Sequence, residues 1–116
     1  MARQPKKIPA FFYQTAAGAE PVRDWLLTLD DEDRRIIGAD IATVEYGWPV
    51  GMPTCRSLSA GLWEVRSSLP SRGEARVIFV VIEEQMVLLH GFIKKSQKTP
   101  KADLDLAMKR LKEVKS

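Results

Sequence analysis

Arg66, Arg76, His90 and Lys94 are the residues of this 116-residue chain whose types and spacing could do chemistry together. Arg66 lies in the alternating stretch "LWEVRSSL", and Arg76 stands at the start of "ARVIFVVI", an almost unbroken apolar run. A guanidinium is almost never buried alone, so each arginine needs a carboxylate, such as Glu64 or Glu74, or must face a groove where an anion arrives. His90, the only histidine, sits where "MVLLHGFI" gives way to Lys94, Lys95, Lys98 and Lys101. Cations meeting on one sheet face would repel one another, and a phosphate would relieve that repulsion. The set suits cleavage of an RNA backbone through its own 2′-hydroxyl. That reaction needs a base for the hydroxyl proton, an acid for the 5′-oxygen and fixed positive charge for the phosphorane. Histidine, or a lysine whose neighbours are cations, exchanges protons near neutral pH, and arginine supplies the charge. Arg66, Arg76, His90 and Lys94 are then the catalytic candidates, and Lys95, Lys98 and Lys101 the RNA-binding ones. No metal or cofactor is called for.

Plainer readings stand beside these. Strand alternation puts His90 on the side of Leu88 and Phe92, which suits a hydrogen-bonded core histidine. Either arginine could snorkel from a strand end or pair locally. Trp63 suits a core anchor better than a base-stacking platform, Tyr46 and Trp48 flank a Pro/Gly loop, and Cys55 has no activating motif beside it.

The elements that must hold these residues follow from periodicity. "IPAFFY", Ile8 to Tyr13, is a β-prone first strand whose Pro9 suits an edge. Val22, Trp25, Leu26 and Leu29 recur at helical spacing behind Pro21. Asp30 to Asp33 end that helix and favour the N-terminus of a second, striped by Ile37, Ile41 and Val44 and closed by Gly47 and Pro49. After the loop "GWPVGMPTC" the period becomes two: Trp63, Val65, Ser67 and Leu69 share one side, and Leu62, Glu64, Arg66 and Ser68 the other. Pro70, Ser71, Arg72 and Gly73 turn the chain into "ARVIFVVI", a central strand buried on both faces. Glu83, Glu84 and Gln85 turn it again into "MVLLHGFI". Thr99 and Pro100 start a last helix packed through Leu104, Ala107, Leu111 and Val114. This order predicts an α+β domain over residues 1–116, with a small antiparallel sheet, an N-terminal helical hairpin and a C-terminal helix. The helices are expected on one face, with the first strand recruited beside a non-neighbour.

Composition narrows the classes. The apolar fraction of 45% is enough for one core. The net charge of +3 hides a split: Glu20 to Glu45 holds eight acids against three bases, and His90 to Ser116 three acids against eight bases. A basic face attracts polyanions whatever the total charge, although lysines on a terminal helix also simply solvate a surface. One cysteine and one histidine build neither a disulfide framework nor a zinc cluster. No signal-peptide pattern appears, and no stretch approaches the roughly 20 apolar residues of a bilayer span, so a cytoplasmic protein is expected.

Taken in order, "GLWEVR", "ARVIFVV" and "VLLHGFIKKSQKTPKADLDLAMKRL" resemble toxins of the phage-derived Gp49-like, HigB-type branch of the RelE/ParE superfamily of bacterial toxin-antitoxin systems. The resemblance runs from "FFY" to the last helix, and its most specific part is Leu88 to Pro100. It implies a RelE/ParE-like toxin fold and an endoribonuclease that cuts messenger RNA, commonly on the ribosome. It also implies inhibition by a HigA-like helix-turn-helix antitoxin. The family's strand arginines fall on Arg66 and Arg76, its histidine on His90, and its basic cluster on Lys94, Lys95 and Lys98. Other branches place a tyrosine or second histidine at the cleavage centre; here Tyr13 and Tyr46 lie elsewhere in sequence, and no second histidine exists. The competing expectations are a ParE-like poison of DNA gyrase without nuclease chemistry, and an inactive relative that only binds RNA or antitoxin.

Overall fold

The structure is a computed structural model that describes residues 5–70, 73–94 and 98–115. Its elements in chain order are β1 (Ala10–Phe12), α1 (Pro21–Leu27), α2 (Asp31–Gly47), β2 (Cys55–Ser57), a short 3-10 turn (Ser59–Gly61), β3 (Leu62–Leu69), β4 (Gly73–Ile82), β5 (Gln85–Lys94) and α3 (Lys101–Lys115). The five strands form one sheet in the order β1-β5-β4-β3-β2. β2 to β5 pair antiparallel, whereas β1 runs parallel to β5 with Phe11 opposite Val87. The first strand therefore does join a non-neighbour. Its position is set from α2: the buried Glu45 carboxylate accepts the Ala10 N–H at 2.7 Å and pairs with Lys6 at 3.0 Å.

The helices do not share one face. Val22 of α1 and Ile37, Ile41 and Val44 of α2 pack with Val65, Val77, Phe79 and Leu88 on one side of the sheet. Ala107 and Leu111 of α3 pack with Leu62, Ile78, Val80 and Leu89 on the other. The reason lies in β4, whose successive residues from Ala75 to Val80 are all buried. A strand apolar on both faces needs cover on both.

Two local features fix β5, the strand that carries His90 and Lys94. Ile78 pairs with His90 and Phe79 with Leu88, so Leu89 is the extra residue of a bulge. Beyond a bulge the alternation changes phase. Leu88 accordingly packs toward the helical hairpin, while Phe92 faces α3. The second feature is Gly91, where a Cβ would overlap the six-membered ring of Trp25 from α1. A glycine lets this ring lie on the strand backbone. The β4–β5 turn is less favourable, because Glu83 and Glu84 adopt φ of 49° and 62°, a region side chains other than glycine and asparagine rarely occupy.

Candidate active site

Strand register brings the predicted residues onto the α3 side of the sheet in three rows. Arg66 lies opposite Arg76, and Arg76 opposite Phe92. Ser68, Glu74 and Lys94 form the row nearer the sheet end, and Glu64, Ile78 and His90 the row on the other side. Two arginines facing each other across a strand pair need intervening negative charge, and the sequence supplies it at Glu64 and Glu74.

Arg76 is only 1% exposed, and its guanidinium is held by both carboxylates. Glu64 is fully buried; its second oxygen accepts the Thr99 hydroxyl at 3.0 Å, which ties the approach to α3 onto β3. Arg76 is thus a buried structural cation rather than an open phosphate ligand. The mutual repulsion expected of the clustered cations is already answered by carboxylates, so electrostatic relief does not by itself require a phosphate. Arg66 is more accessible, with 22% of its side chain exposed. Its Nε donates to Glu74 at 3.2 Å, and one terminal nitrogen approaches Met52 Sδ at 3.5 Å. Burial alone would raise the Glu74 pKa, but the charges and hydrogen bonds of Arg76 and Arg66 outweigh it and hold the carboxyl below its ordinary value.

Lys94, beside Glu74 in register, is partly buried. Loss of hydration, then the charge of Arg76 and more weakly that of Arg66, lowers its pKa; Glu64 and Glu74 pull the other way without cancelling this. His90 is drawn to α3 instead, its Nε2 lying 2.6 Å from Asp103 Oδ1. Its ring stacks on Phe92 at 5.6 Å between centroids and 21° between planes. The histidine therefore shares a side with Phe92 but not with Leu88, as the bulge requires. Lys98 and Lys101 are exposed ahead of and at the start of α3. Lys95 lies outside the described residues, as do Ser71 and Arg72 of the predicted turn.

Of the remaining candidates Trp48, Trp63 and Cys55 take core roles, whereas Tyr46 is exposed. Trp63 meets Trp48 edge-on at 5.0 Å, and Trp48 meets Phe79 at 5.8 Å. Cys55 is buried, and burial followed by the Glu64 charge pushes its thiol up to about 11, which leaves little thiolate for nucleophilic work. Sequence reasoning missed Asp103 as the partner of His90, Thr99 as the partner of Glu64, and Asp40, which lines a groove together with Arg66. The first was open to inference: a first-turn acid on a helix following a histidine-bearing strand is placed to reach back to the ring.

Fold and site together define a small α+β protein with an arginine–carboxylate–lysine cluster at one end of its sheet. The chain belongs to the phage-derived Gp49-like protein family, whose model matches residues 24–112 and so includes every residue of the cluster. That family is associated with toxin-antitoxin systems. No curated protein matches the chain. Among the described residues, no helix is long and apolar enough to cross a membrane.

Proposed function

We propose that the protein is the toxin of a type II toxin-antitoxin pair and acts as an endoribonuclease on messenger RNA, on the ribosome, under the control of a cognate helix-turn-helix antitoxin. The observation that carries this reading is Lys94, a lysine of lowered proton affinity standing in the same cluster as Arg66, Arg76 and Glu74. A lysine whose pKa lies below its ordinary value is neutral more often than an ordinary surface lysine, which favours it as a base.

In this mechanism neutral Lys94 removes the 2′-hydroxyl proton, and the 2′-oxygen attacks the adjacent phosphorus. Arg66 turns its outer N–H groups to the phosphorane and balances the added charge. The bond to the 5′-oxygen breaks, and His90, held by Asp103, supplies the proton that the leaving oxygen takes up. The products are a 2′,3′-cyclic phosphate and a 5′-hydroxyl. Arg76 is a positioning residue that holds Glu64 and Glu74, and through Glu74 it sets the placement of Arg66. Lys98 and Lys101 bind backbone phosphates on the approach to the site, and Lys95 belongs with them by sequence.

Brief expression of the wild-type chain, followed by primer extension on abundant messages, tests this function. Discrete new 5′ ends with arrested translation are expected, and both are lost in Arg66→Ala and in Lys94→Ala. Growth arrest with intact messages and an early DNA-damage response would replace the nuclease with a gyrase poison.

A further inference from the structure

β2 pairs with β3 only from Trp63 to Val65, so among the described residues no strand lies along the outer edge of β3 beyond Arg66. The Arg66 N–H still donates to the Thr54 carbonyl at 2.7 Å; past that bond a groove of about 360 Å³ opens between this edge and α2. This lies within the span of about 300–1,000 Å³ common for small-ligand sites. Two apolar residues, Ile36 and Pro53, line it together with the polar Thr54, Ser68 and Asp40. Arg66 and Glu74 also line it, so the groove is continuous with the cleavage cluster. A nucleotide flanking a phosphate held by Arg66 has its base within reach.

The donor and acceptor set decides which base. No hydrogen bond or ion pair among the described residues engages the Asp40 carboxylate, which is partly buried. A carboxylate accepts two parallel N–H groups best. Guanine alone among the four RNA bases offers two adjacent donors on its pairing edge, N1–H and N2–H. Adenine and cytosine set a ring-nitrogen acceptor beside the amino group, and uracil flanks its one N–H with two carbonyls; each would turn a lone pair toward one carboxylate oxygen. We infer that this groove is a guanine subsite for the nucleotide next to the cleaved phosphate, with Asp40 as its specificity-determining residue. Its place in the reaction rests on the nuclease reading above; its ligand does not.

The test is a titration of the full isotope-labelled chain with the 3′-monophosphates of guanosine, adenosine, cytidine and uridine, followed by amide chemical shifts. The guanosine nucleotide is expected to bind roughly tenfold tighter than the others, the discrimination of one good bidentate pair. It should move the amides of Thr54 and Ser68, and Asp40→Asn should erase the preference. Equal affinity for the four nucleotides, or a guanosine preference that survives Asp40→Asn, overturns the subsite. Mapping cut sites in messages separates the two readings. Guanine enriched beside the cut in the wild type but not in Asp40→Asn supports the subsite, and cutting without base bias overturns it while the nuclease stands. Asp40-dependent guanosine binding with no message cut leaves the subsite and overturns the nuclease.

Discussion

Arg76 shows how one residue type can carry two meanings. From sequence it is a cation in an apolar strand that needs either a carboxylate or a ligand, and both carboxylates named for it are the ones it pairs with. Because the pair with Glu64 is buried, removing one member strands the other charge, a loss of about 3–5 kcal/mol. Arg76→Ala should therefore lower the thermal midpoint sharply, and any loss of activity in it reports folding as much as chemistry. Lys94 is the cleaner probe. A lysine base works in its neutral form, so cleavage should rise with pH and level off below the ordinary lysine value of 10.5, since the Lys94 pKa is lowered. Lys94→Arg keeps the charge but not the proton exchange; a rate loss of about 10²–10⁴-fold with RNA binding retained is expected from single-turnover kinetics. Glu74 gives a sign that can be checked by unfolding. Its folded pKa lies below the ordinary 4.5, so its contribution to stability is present above that value and is lost as pH falls through the lower folded one. The stability advantage of wild type over Glu74→Gln should fade below pH 4.5 in acid-unfolding curves.

At the scale of elements, most of the layout was readable because each long segment is periodic. The 3.6-residue stripes of α2 and α3 and the two-residue alternation of β3 are plain in the chain, and β4 reads as a central strand. What escaped was geometry that periodicity does not encode. β2, three residues long, is hidden by the Pro- and Gly-rich loop before it. The bulge at Leu89 changes the phase of β5 without any residue that announces it, and so alters the company His90 keeps. The placement of α3 on the far face follows from a strand buried on both sides, an implication that element order alone does not draw out. Two substitutions test this level. Gly91→Ala drives a methyl group into the Trp25 ring and should destabilise by about 1–3 kcal/mol, as overpacking does. Replacing Glu83 and Glu84 by Asn and Gly removes a left-handed penalty of about 1–2 kcal/mol per ordinary residue. That pair of changes should raise the thermal midpoint.

Across the whole molecule the charge split seen in the sequence becomes a split between sheet faces. The acid-rich hairpin α1–α2 covers one side, and α3 with the arginine–lysine cluster occupies the other. RNA drawn to the basic side should be held largely by counterion release, and Lys98→Ala and Lys101→Ala should each lower the slope of log affinity against log salt by about 1. Sequence similarity identifies the family, and the fold adds what similarity does not carry. Of the two strand arginines one is structural and one accessible, the histidine is tied to the last helix, and the lysine stands where its proton is loosened. The most direct measurement of the central claim uses ribosomes programmed with a message carrying a single 2′-deoxynucleotide on the 5′ side of a mapped cut. Attack by the RNA's own hydroxyl predicts that cleavage at this bond disappears while neighbouring cuts persist. It also predicts that the unmodified message yields a 5′-hydroxyl fragment dependent on Lys94. Unchanged cleavage of the deoxy-substituted bond, or cutting by Lys94→Ala at the wild-type rate, would contradict it.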